Sequence, residues 1–245
     1  MRALIFFTGL GLLATAGSSP APTIYPMGRN VTGIATFYGA VGNEGTCSFA
    51  SMPVKWVTVA MADSQWFGAN ICGACLQVYG PNVYGKLGNV TKVMVTNQCP
   101  GCSKNHLDLD PKAFAVLAPM KQGIINNVKW KIIPCHHPGP VYYKFKEGVS
   151  QWWFALQVFN HNTPVVKMEI STNHGKTYTN VHRLYYNYFV YRSGFGPGPY
   201  TVRITDENGH KLVDSGLKPV ALSIKKGKAN FPNTTKKIKI KQGGQ

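Results

Sequence analysis

The chain has 245 residues, 44% hydrophobic and 12% aromatic, which suffices for one large packed core or two modest ones and excludes general disorder. Its formal charge of +17 arises from 26 Lys and Arg against 9 Asp and Glu, a balance that suits an anionic partner such as nucleic acid, an acidic membrane or an acidic polysaccharide. The apolar run at the start is too short to span a bilayer and no later segment approaches that length, which excludes membrane-spanning helices.

Met1-Arg2 and the apolar run to Ala14 read as a secretory signal peptide over 1–16, with Ala14-Thr15-Ala16 as its small-residue cleavage pattern. Export disfavours nucleic acid and membrane and leaves an acidic polysaccharide as the favoured partner class, met outside the cell by a chain expected to be a monomer. Asn30, Asn89 and Asn233 head Asn-x-Thr sequons, acceptors for glycosylation in a eukaryotic source. Between 33 and 133 come short β-rich runs punctuated by glycine, at 33–38, 55–60, 75–79, 90–96 and 128–133, a spacing that predicts a small closed β-barrel rather than βαβ units. Six cysteines, at 47, 72, 75, 99, 102 and 135, fall in this half and none after it. An even count in an exported chain favours disulfides; zinc is the rival, because both Cys72-Gly73-Ala74-Cys75 and Cys99-Pro100-Gly101-Cys102 have metal-ligand spacing. Oxidation is the preferred reading, so neither a metal nor a cofactor is expected.

The densest chemistry lies at 96–114. His106-Leu107-Asp108-Leu109 alternates polar with apolar, so His106 and Asp108 share one face of a short strand. Asp110 is an N-cap and Pro111 a first helical residue, predicting a helix over 111–118 whose stripe is Ala113, Phe114, Val116 and Leu117. That gives Asp110 a structural duty. Asp108 has none locally and is the candidate functional carboxylate, against the alternative that it accepts hydrogen bonds from a neighbouring loop. His136-His137-Pro138-Gly139-Pro140 reads as a hinge between two domains, with the paired histidines in a solvated turn rather than on a metal. Alternating runs at 141–146, 154–159, 165–171 and 200–205, with a hairpin signal at Asp206-Glu207-Asn208-Gly209, then predict six to eight antiparallel strands in a β-sandwich. Seven lysines from Lys225 onward mark a basic tail.

Several motifs in order resemble the expansins, secreted two-domain proteins that loosen plant-type cell walls without cutting polysaccharide. In the first half these are Gly33-Ile34-Ala35-Thr36-Phe37-Tyr38-Gly39, Cys72-Gly73-Ala74-Cys75, Thr96-Asn97-Gln98-Cys99-Pro100 and His106-Leu107-Asp108-Leu109. In the second they are Tyr143-Lys144-Phe145-Lys146-Glu147-Gly148, Ser150-Gln151-Trp152-Trp153, Gln157-Val158-Phe159-Asn160-His161 and Tyr186-Asn187-Tyr188-Phe189. The resemblance implies an all-β chain: a six-stranded double-psi β-barrel over 24–137, an immunoglobulin-like carbohydrate-binding β-sandwich over 141–225 and a tail over 226–245. It implies three barrel disulfides, Cys47 with Cys72, Cys75 with Cys135 and Cys99 with Cys102.

By the same resemblance Asp108, Thr36, Tyr38 and Asn97 form the barrel's active groove, and Trp152, Trp153, Tyr186 and Lys146 bind cellulose, a related β-glucan or another wall polysaccharide. The family is also similar to barrel endoglucanases, whose inverting chemistry needs an acid and a base about 6.5 to 9.5 Å apart. Asp108 stands at the acid's position, but Ala40 stands at the base's, so hydrolysis is expected to be absent or trace. Asn97 departs from the family's frequent Asp and removes a charge. The leading expectation is a nonhydrolytic wall-loosening protein; its alternatives are an endoglucanase-like hydrolase using Asp108 and a structural polysaccharide-binding matrix protein. Consecutive strand residues face opposite ways, so Trp152 and Trp153 can share a surface only from a loop or bulge.

Overall fold

The glycine-punctuated runs of the first half close into a barrel. The structure, a computed structural model, describes residues 26–39, 45–49, 56–81 and 88–233; the expected signal peptide, Ala40 and the lysines beyond 233 lie outside them. Six strands, β1 (Val31–Phe37), β2 (Thr58–Ala62), β3 (Cys75–Tyr79), β4 (Val90–Cys99), β5 (Leu107–Leu109) and β6 (Ile125–Ile133), stand in the order β1-β5-β2-β4-β3-β6, and β6 closes on β1. Strand β1 is shared: it pairs antiparallel with β6 from Val31 to Ala35, with a register shift between Gly33 and Ala35, and from Ala35 to Phe37 it also pairs parallel with β5. Ala35, Val59, Leu76, Val93, Leu107, Leu109, Val128 and Trp130 are fully buried and fill the interior.

Helix α1 (Pro111–Leu117) follows β5 directly, because Asp110 accepts the Lys112 amide at 2.8 Å and Pro111 occupies the first turn. Its Phe114 packs edge-on against Phe37, centroids 4.8 Å apart, which fastens the helix to the end of β1. All six cysteines are paired, Cys47 with Cys72, Cys75 with Cys135 and Cys99 with Cys102. The two C-x-x-C runs therefore offer no thiolate to zinc.

The second half supplies β7 (Tyr142–Phe145), β8 (Phe154–Phe159), β9 (Val165–Ser171), β10 (Thr179–Arg183), β11 (Phe189–Tyr191), β12 (Tyr200–Asp206), β13 (Lys211–Leu217) and β14 (Ile224–Lys226), in the order β13-β12-β9-β10-β11-β8-β7-β14. Strand β10 pairs with β9 through Thr179 to Val181 and with β11 through His182 and Arg183. The sheet turns over on it, so that Tyr143, Phe145, Phe154, Leu156, Ile170, Tyr200 and Val202 from both layers share one core.

Three details differ from the sequence reading. The sandwich continues past 225: β14 runs to Lys226, Gly227 and Ala229 bond the Val141 backbone, and Phe231 is buried in the core, so the tail begins later than 226. The Pro/Gly segment is fastened down rather than hinged. Asn160 donates to Pro138 and Pro140 carbonyls, Asn230 to that of Gly139, and Cys135 N to Asn162 O. His137 is not in a solvated turn, since it lies buried edge-on to Trp56, at 4.9 Å, with its amide on Asn162 Oδ1; only His136 is exposed.

Strand β8 shows why the halves hold together. A strand at a sandwich surface alternates buried and exposed residues, yet all six of its residues are buried. Phe154, Leu156 and Val158 face the sandwich core, whereas Gln157 donates to Cys47 O at 2.9 Å and Phe159 joins the barrel core. Asn187 donates to the same Cys47 carbonyl, Arg183 to Ala69 O, and His161 packs where a Cβ on Gly73 would stand 2.7 Å from its ring.

Candidate functional site

Register brings the groove residues into one row. Thr36 on β1 pairs with Asp108 on β5, Asp108 with Ala60 on β2, and Ala60 with Asn97 on β4. Paired residues of adjacent strands project to the same side, so the four share a face. Asn97 enters the row through a register shift: Val59 pairs with Val95 but Ala60 with Asn97, and Thr96, passed over, is buried. Ala60, 2% exposed and with no side chain beyond its methyl, adds no polar group between Asp108 and Asn97.

Thr36 Oγ1 donates to Asp108 Oδ1 at 2.5 Å and lies 2.7 Å from His106 Nε2. Cys99 Sγ stands 4.0 Å from Asp108 Oδ2. Burial pulls the His106 pKa below its ordinary value, with Asp108 opposing the shift. The Tyr38 hydroxyl is buried beside Asn97 and Thr58, in good hydrogen-bond geometry with neither, and burial first, then Asp108 and Asp110, hold its pKa above that of a free phenol. Asn97 is committed to the loop beside it. Its Oδ1 accepts the Thr46 amide at 2.9 Å, the Thr46 hydroxyl at 2.9 Å and the Gln98 amide at 3.0 Å. Gly45 makes that approach possible, because a Cβ there would meet Thr96 O at 2.7 Å.

On the sandwich, Ser150 and Trp153 bond each other across a two-residue turn, so Gln151 and Trp152 form its tip. Trp152 projects from it, 72% exposed. Trp153 instead packs, with Leu184 and Tyr186, onto Ala155, Tyr188 and Val190 on the outer face of the sheet. Tyr186 leans on Tyr188 at 5.9 Å and on the exposed Tyr185 at 5.2 Å. Lys146 Nζ lies 5.9 Å above the Tyr188 ring while pairing with Glu147 at 2.7 Å. Tyr188, 5% exposed, supports this face, and burial pushes its phenol up to about 12.

Row and platform are joined through 45–49. That segment hangs from Asn97 at Thr46, receives Gln157 and Asn187 at Cys47, and donates from Ser48 Oγ to Tyr186 O at 3.1 Å. Trp66 Nε1 of the barrel donates to Tyr185 O at 3.0 Å. The structure thus gathers Thr36, Asp108 and Asn97 with Tyr38 beside them, and Trp153, Tyr186 and Lys146 around Tyr188, with Trp152 at the tip beyond. The sequence reading did not single out Ala60, Tyr185 or Tyr188 for the site, and it gave His106 a face but no role. The alternation in His106-Leu107-Asp108 was the available signal for His106; nothing local marked Ala60.

Comparison with known proteins locates the chain. Residues 58–130 match a family model described as lytic transglycolase. Expansin-YoaJ of Bacillus subtilis is 37% identical over 187 residues, covering 75% of this chain and 76% of that protein. Expansin-like protein 5 of Dictyostelium discoideum is 30% identical over 184 residues, covering 71% and 74%. Among solved structures, the apo expansin of Clavibacter michiganensis superimposes with a TM-score of 0.72 at 31% identity, over 83% of this chain and 99% of that one. A mutant of the same protein, solved with cellohexaose, matches equally.

Proposed function

The chain belongs to the expansins, and on that premise we propose that it is a secreted, nonhydrolytic protein that grips cellulose or a related β-glucan and loosens its contacts with neighbouring wall polymers. Thr36, Tyr38, Asn97 and Asp108 hydrogen-bond the glucan in the barrel row while Trp152, Trp153 and Tyr186 stack on sugar faces, with Tyr185 extending the row and Tyr188 behind it. Lys146 and the basic surface add salt-sensitive attraction to acidic polymers. Binding energy spread over several sugars then competes with polymer–polymer contacts, with no covalent intermediate.

The observation that carries this reading is the single carboxylate of the row. Among the described residues of the barrel the other acidic groups are committed elsewhere: Asp110 caps α1, and Asp63 accepts Gln98 Nε2 at 2.7 Å and Gly101 N at 3.3 Å. Asp108's in-register neighbours are Thr36 and Ala60. Without a base on the opposite face of the sugar, inverting hydrolysis has no water activator. Ala40 and Glu44 lie outside the described residues, so the test includes both arms. Purified protein is expected to weaken cellulose-rich paper while releasing no reducing sugar, and Asp108→Ala to abolish weakening with polymer binding nearly intact. Linear sugar release lost in Asp108→Ala or Glu44→Gln would establish a hydrolase instead; binding without any mechanical effect would establish a matrix protein.

A further inference from the structure

Thr36 has one hydroxyl proton and two partners, Asp108 Oδ1 at 2.5 Å and His106 Nε2 at 2.7 Å. We infer that His106 is a positioning residue: its Nε2–H donates to Thr36, which turns the Thr36 proton onto Asp108 Oδ1 and leaves Oδ2 to receive a sugar hydroxyl. This rests on the reading of Asp108 as a glucan-gripping group.

The direction follows from counting protons. An ionised carboxylate only accepts, so at 2.5 Å from Asp108 the hydroxyl of Thr36 must donate to it, and the remaining short contact requires a donor on His106. The opposite arrangement, with Nε2 accepting from Thr36, would set two oxygen lone pairs against each other unless Asp108 itself carried the proton. The three side chains therefore form a relay that holds two protons while Asp108 is ionised, one on His106 Nε2 aimed at Thr36 and one on Thr36 Oγ1 aimed at Asp108.

Four strands of the barrel, β1, β5, β4 and β2, with the residues just past the ends of β1 and β5, bring no competing cation to this relay. From β1 comes Tyr38, a buried phenol; from the end of β5 comes Asp110, whose Oδ1 is taken by Lys112 N. Strand β4 contributes Asn97 and the Cys99–Cys102 disulfide, and β2 contributes Ala60. Burial lowers the His106 pKa despite Asp108, so at neutral pH the imidazole is uncharged and its tautomer decides what Thr36 does.

The test uses the full chain and needs no glucan for its first part. Nitrogen-15 NMR of the imidazoles at neutral pH is expected to show His106 as the Nε2–H tautomer, a preference lost in Thr36→Val; an Nδ1–H tautomer in the wild type would overturn the assignment. In paper weakening, His106→Gln, which retains an N–H donor of similar reach, is expected to stay within about two-fold of wild type. His106→Leu should fall about ten-fold, the cost of one neutral hydrogen bond, at an unchanged melting temperature. A leucine variant as active as wild type, or a glutamine variant as weak as the leucine one, would assign His106 a space-filling role only. If the wild type weakens no paper, the functional reading fails while the tautomer still decides this one.

Discussion

Removing the Asn97 side chain tests whether this residue holds the loop as well as facing the groove. Its Oδ1 carries three hydrogen bonds, two from Thr46 and one from the Gln98 amide. Each half-buried bond is worth about 0.5–1.5 kcal/mol net, so Asn97→Ala should cost about 2–3 kcal/mol after water resolvates part of the loop. The loss should reach the sandwich, because the released segment also holds Cys47 O and Ser48 against Gln157, Asn187 and Tyr186. An aspartate at 97 should behave differently. It keeps all three bonds and strengthens each by becoming ionic. Its repulsion from Asp108, two strand spacings or roughly 10 Å away, amounts to about 0.4–1.7 kcal/mol at an effective dielectric between those of water and the protein surface. Asn97→Asp should therefore unfold in urea within about 1 kcal/mol of wild type, with an unchanged m-value. A cost below about 0.5 kcal/mol for alanine, or an aspartate variant as damaged as the alanine one, would refute the loop-anchor reasoning.

Loop closure ranks the disulfides: opening Cys75–Cys135, 60 residues apart, should cost about 4 kcal/mol, and opening Cys99–Cys102, three apart, under about 2 kcal/mol, checked by unfolding each double-serine variant. Trp152→Ala should weaken binding to insoluble cellulose with less than about 0.5 kcal/mol lost from stability, since that ring is already exposed, whereas Tyr188→Ala should cost about 3 kcal/mol in the same melts. Stability should fall on both sides of a mildly acid optimum. Burial lowers His137 to about 4 and His161 to about 3, so between pH 6.5 and about 4 the unfolded chain binds protons the native one refuses, and acidification destabilises. Burial, with Asp206 adding to it, raises Glu207 to about 8, so between about pH 4.5 and 8 the native chain holds a proton the unfolded one releases, and stability drops as pH rises. Glu207→Gln should flatten the alkaline side in a pH series of melts; an unchanged slope would count against that assignment.

Where local chemistry dictates structure, the sequence was readable. Asp110-Pro111 fixed the start of α1, and the strands at 75–79, 154–159 and 165–171 appear with the bounds their alternation indicated. Asp108 stood out because its strand neighbours are leucines and its successor is spoken for as a cap. What escaped detection depends on distant partners. Gln157 and Asn187 look like solvent-facing strand and loop polars until Cys47 O is placed beside them, and His137 looks like linker until Trp56 covers it. Ala60 enters the row only through pairings with residues 37 and 48 positions away. Packing of Lys226 to Phe231 was hidden because lysine-rich composition outweighs one core phenylalanine.

The seam on β8 has a mechanical meaning. A strand whose two faces serve two different cores, next to a linker tied down by Asn160, Asn162 and Asn230, leaves no pivot between groove and platform. Such a body behaves as a fixed-length gauge: the gap from Asp108 to Tyr186 cannot stretch to follow a polymer under tension. If the proposed function holds, work on a wall would have to come from the polymer's own thermal excursions, captured one sugar register at a time, and load shared across the seam would be felt first at the carbonyl of Cys47.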